Sequence, residues 1–371
     1  MSEPTDLVIV LGTRPEIIKL APVIRACERR HIEYTVVHTG QHYSDSLDGV
    51  FFDQLELPTP EHNLAVGSDS HARQTAAMMT GIEDILQEEQ PETVLVQGDT
   101  NSVLAGSIAA SKLNVDLGHV EAGLRSFDRS MPEETNRVLT DHVADYLFAP
   151  TDQSRQYLLD EGLPDDQIFV TGNTVVDALQ QNRELAERKS DVLAKLDLER
   201  GEFGLMTAHR AENVDNERRF RDLLEGVGRA AEEYGFDVVY PIHPRAKNNL
   251  AEFNIEVPER IRVIDPQDYL DFLTFESSAA VILTDSGGVQ EEACILGVPC
   301  VTLRENTERP ETIDVGANRL VGSEPTAIVD GVRAAYSTTQ MWENPFGDGT
   351  AADRILTAVS PTMETETEVI Q

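Results

Sequence analysis

The sequence predicts an α/β protein built from two doubly wound domains. Short apolar runs alternate with longer amphipathic segments along most of the 371 residues, as in units where parallel strands alternate with helices. The alternation stops at a charged, helix-prone stretch, 180–202, and then restarts. The length suits two α/β cores better than one. We expect a first domain at 1–175, a second at 176–358 whose last helix can pack back on the first, and a disordered acidic tail at 359–371.

The first domain contains five apolar runs typical of strands that are buried on both faces. They are LVIVL (7–11), YTVVH (34–38), TVLVQ (93–97), VDLGH (115–119) and YLFA (146–149). Helical patterns lie between them at 15–30 and 71–89. Proline opens the first of these, which the first helical position tolerates.

The second domain repeats the alternation. Its predicted strands are FGLMT (203–207), DVVYP (237–241), IRVI (261–264), AAVILT (279–284) and VPCVTL (298–303). Parallel strands present their carboxyl ends to one edge of a sheet, where ligands of such folds bind. We therefore expect a ligand in a cleft between the two domains.

Net charge limits the range of partners. The chain has 66 Asp plus Glu against 30 Lys plus Arg, a formal charge of −36, and only five of the basic residues are lysine. Such a charge repels nucleic acid and anionic lipid, so neither is expected as a partner. An acidic, lysine-poor surface suits a cytoplasm of high salt, where ions screen the self-repulsion.

The compartment expected from the sequence is the cytoplasm. No apolar stretch approaches the length of a membrane span, and the N-terminus lacks the basic and apolar segments of an export signal. The three cysteines, Cys27, Cys294 and Cys300, have neither metal-ligand spacing nor a disulfide pattern. They are expected to be buried packing residues.

Two segments combine a strand end with an anion-binding helix start. In GTRPE (12–16), Thr13 and Glu16 have capping-box spacing, and Arg14 stands at the helix N-terminus, where a phosphate finds free N–H groups. In TDSGGVQEE (284–292), the turn through Ser286, Gly287 and Gly288 lets the backbone approach a pyrophosphate, with Glu292 one turn later for ribose hydroxyls.

Carboxylates follow other predicted strands of the first domain. Asp99 ends one strand and Glu121 the next, while Glu133 and Glu134 open a helix. In so acidic a chain most carboxylates are solvated surface groups, but these stand among Gly, Ser, Thr and Asn at the ligand edge. They form a candidate general acid/base set. In the second domain, His209 and Arg210 follow a strand and could meet phosphate or sugar.

Two cofactor classes lack their sequence signatures. There is no HExxH pattern, and no GxGxxG follows a strand. Neither a metal nor an organic cofactor is therefore expected.

These segments together resemble the non-hydrolysing UDP-N-acetylglucosamine 2-epimerase family. The similarity extends from LGTRPEIIKLAP (11–22) to NPFGDGTAADRI (344–355). Between those ends it includes TGQH (39–42), RQT (73–75), QGDT (97–100), GHVEAGLRS (118–126), PEETNR (132–137), TGNTVVDAL (171–179), HR (209–210), IDPQDYL (264–270) and TERPET (307–312).

The resemblance implies a glycosyltransferase-B-like fold of two Rossmann-like domains, commonly a homodimer. It implies interconversion of UDP-GlcNAc and UDP-ManNAc, through elimination of UDP to a glycal and its re-addition with C2 inverted. The implied catalytic residues are Asp99, Glu121, Glu133 and His209. The implied UDP and substrate contacts are Arg14, Arg210, Phe272 against the uracil, Ser286, Gly287, Gly288, Glu292 and Arg309.

Regulation and substrate remain open at this stage. An effector site for UDP-GlcNAc in bacterial members is matched here by Gln41, His42, Arg73, Gln74 and His243. Ser44 departs from the glutamine those enzymes often have. The alternatives are a hydrolysing 2-epimerase, a 2-epimerase of a modified sugar such as a diacetamido-uronate, a glycosyltransferase of the same fold, and a UDP-sugar sensor without turnover.

Overall fold

The computed structural model describes residues 5–41, 45–113, 115–337 and 342–360. The chain divides into two compact units, Met1–Gln180 with Phe346–Gln371, and Gln181–Pro345. The predicted class of two parallel α/β domains is confirmed. The expected tail lies almost wholly outside the described residues.

The first unit is built on a seven-stranded parallel sheet of order β3-β2-β1-β4-β5-β6-β7, counted over the described residues. Its strands are β1 (Leu7–Leu11), β2 (Tyr34–His38), β3 (His62–Asn63), β4 (Thr93–Gln97), β5 (Asp116–Val120), β6 (Tyr146–Ala149) and β7 (Ile168–Val170). Its helices are α1 (Arg14–Arg30), α2 (Asp45–Gln54), α3 (His71–Glu89), α4 (Asn101–Ser111), α5 (Pro132–Asp141) and α6 (Asp152–Asp160). Helix α7 (Thr174–Lys189) begins in this unit, and a short 3₁₀ turn covers Asp165–Gln167.

The second unit has a six-stranded parallel sheet of order β10-β9-β8-β11-β12-β13 within the same described ranges. Its strands are β8 (Phe203–Thr207), β9 (Asp237–Pro241), β10 (Ile261–Ile264), β11 (Val281–Thr284), β12 (Cys300–Thr302) and β13 (Asn318–Leu320). Its helices are α8 (Val192–Lys195), α9 (Ala211–Val214), α10 (Glu217–Tyr234), α11 (Pro244–Glu252), α12 (Tyr269–Ser278), α13 (Gly287–Leu296), α14 (Pro310–Asp314) and α15 (Pro325–Ser337).

Each sheet is covered by helices on both faces, which explains the continuous apolar runs. On one face of the second sheet, Val238 and Tyr240 pack with side chains of α10, whereas Val239 packs on the other face with α12. In the first unit, Met78 and Ile82 of α3 lie one turn apart and join the core over the central strands. The periodicities of strand and helix therefore determine which side chains are buried.

The last helix, α16 (Ala351–Val359), belongs to the first unit and packs against α1. The buried carboxylate of Asp177 accepts the N–H groups of Ala351 at 3.3 Å and Ala352 at 3.0 Å. Arg30 of α1 donates to the hydroxyl of Thr357 at 3.0 Å. The chain thus leaves the first unit, forms the second and returns.

In both sheets the strand order reverses beside the first strand of the unit, between β1 and β4 and between β8 and β11. Ligands of doubly wound folds bind outside the carboxyl ends of the strands at such switch points. Functional residues are therefore expected at these two positions.

Candidate functional site

At the switch point of the first sheet, a buried glutamate joins the ends of β1 and β4. The Glu16 carboxylate accepts the Gly12 N–H at 2.9 Å and the Thr100 hydroxyl at 2.7 Å. Burial raises the pKa of Glu16 to about 6, although the hydrogen bonds oppose that rise. One of the two hydrogen bonds of the expected capping box is missing. Thr13 is the N-cap residue of α1, but its side chain makes no capping hydrogen bond.

The predicted phosphate ligand Arg14 is exposed at the first position of α1. Its guanidinium carbon lies 5.9 Å from the centroid of the Phe51 ring. An exposed guanidinium at a helix N-terminus retains its capacity to bind an anion.

Asp99 lies two residues after the end of β4 and is held by two residues of α5. Arg137 donates to its carboxylate from Nε at 3.0 Å and from Nη2 at 2.6 Å. Asn136 donates to its backbone carbonyl at 2.8 Å. Asp99 keeps about a third of its side chain exposed, 31%, so it is both oriented and accessible.

Glu121 lies directly after β5 in a left-handed backbone conformation, with φ of 70°. One carboxylate oxygen pairs with Lys19 Nζ at 2.6 Å, and the other accepts the Gln97 side-chain amide at 2.5 Å. Its side chain is 5% exposed. A non-glycine residue at positive φ is uncommon, and such strain is characteristic of functional positions.

The two acids that open α5 differ in their surroundings. Glu134 is buried, and it accepts both the N–H and the hydroxyl of Ser126 at 2.9 Å, the Phe127 N–H at 3.0 Å and Arg137 at 2.7 Å. Burial raises its pKa, but these hydrogen bonds outweigh burial and the net shift is downward. Glu133 is half-buried, and its side chain has no hydrogen bond or ion pair within the described part of the chain. Glu134 therefore anchors the preceding loop, whereas Glu133 is available to a substrate.

The structure brings together two of the expected effector-site residues. Gln74 donates to the backbone carbonyl of Gln41 at 3.0 Å, and the Gln41 side chain accepts the Ser102 hydroxyl at 2.9 Å. Arg73 is exposed on α3. His243 is in the second unit, as the N-cap of α11. His42 and Ser44 lie outside the described residues.

At the switch point of the second sheet, the fully buried Asp285 organises the loop after β8. Its carboxylate accepts the backbone N–H groups of His209 and Arg210, each at 3.0 Å, and the Asn213 side-chain amide at 3.0 Å. Burial raises the pKa of Asp285, yet the bonds from His209, Asn213 and Arg210 outweigh it and lower the pKa overall.

Asp285 also sets the orientation of the His209 ring. Nδ1 of His209 lies 3.0 Å from Asp285 Oδ1. Because an ionised carboxylate only accepts, Nδ1 carries the proton of that bond. The side chain is 47% exposed, so Nε2 is left for chemistry. The neighbouring His243 ring lies 6.5 Å away between centroids.

Ser286 and the two glycines form the start of α13. Ser286 is the N-cap, and its hydroxyl accepts the Val289 N–H at 3.5 Å. Gly287 and Gly288 are in the first helical turn, and a Cβ on either would meet other atoms only at 3.5 Å or beyond. Neither close packing nor a left-handed backbone requires these glycines, so their missing Cβ atoms leave the helix start accessible.

The remaining predicted UDP ligands already have protein partners or packing contacts. Arg309 pairs with Glu291 at 3.1 Å, and Arg210 lies 3.5 Å from Glu308. Hydrogen bonding from Arg304 holds the pKa of Glu308 at about 2. Phe272 packs at the edge of the core on α12.

Glu292 is half-buried on α13 beside a second carboxyl group, that of Glu276. Burial, and then the proximity and hydrogen bond of Glu292, raise the pKa of Glu276 well above the ordinary range. A protonated Glu276 donating to Glu292 leaves the latter as an acceptor for hydroxyl groups.

Sequence reasoning missed Lys19, Arg137 and Asp285. Lys19 lies within α1, Arg137 lies one turn after Glu133, and Asp285 precedes the Ser286 turn. The rarity of lysine in this chain could have drawn attention to Lys19. For Arg137 and Asp285, the only available signal was that each lies within a motif already identified.

Three further observations concern other classes of site. No helix among the residues described is long and apolar enough to cross a membrane. Within the same ranges, no group of three or more His, Cys, Asp or Glu side chains could hold a metal ion. All three cysteines are buried and free.

Comparison with known proteins identifies the family. The family model described as UDP-N-acetylglucosamine 2-epimerase matches residues 25–360. A UDP-N-acetylglucosamine 2-epimerase of Methanocaldococcus jannaschii is 52% identical over 356 residues, 94% of this chain and 97% of that protein. The crystal structure of a Methanocaldococcus jannaschii enzyme in complex with UDP-GlcNAc and UDP has a TM-score of 0.81 at 51% identity, covering 96% of this chain and 99% of that one.

A more distant relative acts on a modified sugar. It is the UDP-2,3-diacetamido-2,3-dideoxy-D-glucuronate 2-epimerase of Pseudomonas aeruginosa, 38% identical, covering 94% of this chain and 98% of that protein. The two parallel α/β units have the glycosyltransferase-B-like fold of the structural neighbours. With matches that extend over almost its full length, this chain belongs to the UDP-N-acetylglucosamine 2-epimerase family.

Proposed function

We propose that this protein is a non-hydrolysing UDP-N-acetylglucosamine 2-epimerase that interconverts UDP-GlcNAc and UDP-ManNAc. The observation that carries the proposal is the set of three acids in the first unit, Asp99, Glu121 and Glu133. Two are held by specific partners, and the third is half-buried without one among the described residues. The 52% identity to an epimerase of the same name supports the substrate assignment.

The chemistry follows from the low acidity of the C2 hydrogen in an acetamido sugar. Direct deprotonation with UDP still attached as a spectator is too slow at neutral pH. Instead, a base removes the C2 proton while the C1–O bond to UDP breaks, and the electron pair of the C–H bond forms the C1–C2 double bond of a glycal. Re-addition of UDP at C1 and of a proton to the opposite face of C2 gives the epimer. No net redox change occurs.

The first unit supplies the proton-transfer groups of this scheme. Lys19 and Gln97 orient the Glu121 carboxylate, and Arg137 orients Asp99. Positioned carboxylates contribute roughly 10²- to 10⁴-fold to a proton transfer. His209 of the second unit, whose Nδ1 is committed to Asp285, supplies a further donor or acceptor through Nε2.

The second unit binds the leaving group in the proposal. Ser286, Gly287 and Gly288 offer the start of a helix to the pyrophosphate, Glu292 accepts from the ribose, and Phe272 stacks on the uracil. Arg210 and Arg309 add positive charge, and Arg14 of the first unit is a further proposed phosphate ligand. Arg210 is paired with Glu308, and Arg309 with Glu291. When UDP binds, one of these two arginines exchanges its carboxylate partner for a phosphate group.

The test is product analysis by NMR with UDP-GlcNAc in D₂O. We expect UDP-ManNAc carrying deuterium at C2, with traces of glycal and UDP after long incubation. Product with only hydrogen at C2, while C2-deuterated substrate in H₂O keeps its label, would contradict the elimination mechanism. Free N-acetylmannosamine plus UDP as the main products would indicate the hydrolysing alternative.

Conservative substitutions test whether each of the three acids takes part in catalysis. Asp99→Asn, Glu121→Gln and Glu133→Gln should each reduce turnover by roughly 10²-fold or more while UDP affinity, measured by calorimetry, stays near that of the wild type. Glu88→Gln, an exposed acid on α3, is the matched control and should be fully active. A Glu133→Gln variant with normal turnover would remove Glu133 from the set.

A second candidate substrate is a UDP-2,3-diacetamido-uronate. The 38% identity to the Pseudomonas aeruginosa enzyme favours including it, but the 52% relative favours UDP-GlcNAc. Competing the two substrates in one reaction and comparing kcat/KM decides between them. A higher value for the diacetamido sugar would overturn the assignment.

The proposal also includes a homodimer and an effector site. A homodimer is expected, measurable by light scattering after size-exclusion chromatography. An effector site formed by Gln41, His42, Arg73, Gln74 and His243 would make turnover of pure UDP-ManNAc wait for a trace of UDP-GlcNAc. Immediate full-rate turnover from pure UDP-ManNAc would argue against that site.

A further inference from the structure

The first unit contains a hydrogen-bonded chain of three buried side chains, those of His119, Asp141 and Arg125, which ends at the partly exposed Glu161. His119 of β5 contacts Asp141 through Nδ1 at 2.6 Å, and Arg125 donates to the other Asp141 oxygen at 2.7 Å. Arg125 also makes two hydrogen bonds of 2.7 Å to Glu161. The side chains of His119, Asp141 and Arg125 are each at most 1% exposed.

The other nitrogen of His119 extends the chain to β4. Nε2 lies 2.8 Å from the backbone carbonyl of Gly98. A carbonyl only accepts, so Nε2 donates. Nδ1 faces a carboxylate whose pKa is lowered: burial alone would raise it, but His119 and Arg125 outweigh burial. Both ring nitrogens therefore face oxygen acceptors.

These contacts join the three elements that carry the acids. Gly98 immediately precedes Asp99, His119 stands two residues before Glu121, and Asp141 ends the helix that begins beside Glu133. Asp141 also accepts the Gly123 N–H at 3.2 Å, which fixes the turn after Glu121. One imidazole thus contacts groups from both of the other acid-bearing elements.

Stability alone is a poor explanation for such a chain. Buried ion pairs stabilise folds weakly, because desolvation offsets their attraction, and apolar residues of similar volume serve as well or better. A fully hydrogen-bonded buried network does, however, fix geometry. A displacement of about 1 Å at a reacting group can reduce a rate by about 10²-fold.

We propose that His119 is a positioning residue of the epimerase, which holds the ends of β4 and β5 and helix α5 in the register that places Asp99, Glu121 and Glu133 around one sugar carbon. It acts through Gly98 and Asp141 and does not itself touch substrate. The inference rests on the proposed function where it is tested by kcat, and on the geometry alone where it is tested by crystal structures of the variants.

Two substitutions separate the two bonds of the ring. In His119→Asn the amide nitrogen takes the place of Nδ1, which keeps the bond to Asp141 and loses the one to Gly98. In His119→Gln the amide nitrogen takes the place of Nε2, which keeps Gly98 and loses Asp141. Each variant should lower kcat by about 10- to 100-fold, with UDP affinity within about twofold, and should release a larger fraction of glycal per turnover.

The control is His142→Gln. His142 follows α5 directly, is 44% exposed and lies 3.5 Å from Glu161. His142 lies at the same end of α5 and near the same Glu161 side chain, but it does not connect β5 to β4 as His119 does. The His142→Gln variant should therefore have wild-type kcat. Melting temperatures of all three variants identify any that fail to fold.

Three outcomes would overturn the inference. The first is a cooperatively folded His119→Asn or His119→Gln enzyme with kcat within about twofold of wild type. The second is a kcat loss matched by an equal loss of UDP affinity, which would indicate general disruption. The third is a crystal structure of either variant in which the Asp99 and Glu121 carboxylates have not moved, whereas displaced carboxylates would support positioning.

If the wild type itself makes no UDP-ManNAc, the proposed function fails, and the crystal structures of the variants then test the positioning role alone.

Discussion

At the scale of single residues, burial and hydrogen bonding separate acids that are alike in sequence. Glu133 and Glu134 are neighbours, yet four hydrogen bonds commit Glu134 to the loop before α5, and Glu133 has none among the described residues. Glu16 is more deeply buried than the predicted catalytic acids, and it connects the ends of two strands. A carboxylate at the switch point of this protein can therefore connect strand ends rather than serve the substrate.

Replacing Glu16 by Gln tests that structural role through pH. The pKa of Glu16 is raised by burial from 4.5 to about 6, so the folded state binds a proton more tightly than the unfolded state. The stability this contributes is fully present below pH 4.5 and is lost as pH rises through 6. Relative to Glu16→Gln, the wild type should lose about 2 kcal/mol of unfolding free energy across that window, measured by urea titration.

The exposed Glu33, changed to Gln, is the matched control and should show no such pH-dependent difference. If the difference between wild type and Glu16→Gln were constant from pH 4 to 7, the buried, raised-pKa interpretation of Glu16 would be wrong.

At the scale of elements, the central strands and the edge strand β10 were predicted well, whereas the other three edge strands were not. The predicted boundaries of the two longest helical patterns agree with α1 and α3 within one residue, and those of β1, β2, β4, β6, β8, β9 and β10 agree throughout. No predicted strand corresponds to β3, β7 or β13, which have two or three residues and lie at sheet edges. Edge strands of that length carry too few apolar residues to form a pattern.

Elements also depend on single connecting groups, and Asp285 is the clearest example. It ties the loop between β8 and α9 to the turn between β11 and α13. In Asp285→Asn, an NH₂ group would face N–H donors that now bond to a carboxylate. We expect the free energy of unfolding to fall by about 1–3 kcal/mol, with faster hydrogen exchange at the His209 and Arg210 amides and loss of turnover.

Asp215→Asn is the matched control in the same unit. Asp215 pairs with Arg245 at the surface, at 2.8 Å from Nε, and surface pairs of this kind contribute about 0–1 kcal/mol. Equal effects of the two substitutions would show that Asp285 has no special role in ordering the loop.

At the scale of the whole molecule, charge dominates. The excess of 66 acidic over 30 basic residues leaves a formal charge of −36, although arginines pair with many of the carboxylates. Repulsion among the remaining acids should destabilise the compact state at low ionic strength. In the proposed function the substrate is itself an anion, so local arginines and a helix start would have to overcome this repulsion.

Salt should therefore stabilise the protein. We expect the melting temperature to rise steeply with KCl from low ionic strength toward 1 M, where the Debye length falls to about 3 Å. Sucrose of equal osmolality, which does not screen charge, should produce a smaller rise. A melting temperature that stays flat or falls with KCl would mean that the acidic composition is not an adaptation to salt.

Sequence by itself determined what depends on local pattern: the two parallel α/β units, the central strands, the family resemblance, and the segments in which Asp99, Glu121, Glu133 and Ser286 lie. Hydrophobic period and motif spacing are properties of short stretches, so they are readable without a fold.

Only the tertiary structure decided which side chains meet. Lys19 pairs with Glu121 across 102 positions, and Asp285 accepts the His209 N–H across 76. Arg137 crosses 38 positions to Asp99, and His119 connects three elements at once. Such contacts follow from strand order and register, which bring distant segments to one sheet edge. No local pattern records that order, and for this reason the sequence could indicate candidate acids but not the groups that contact them.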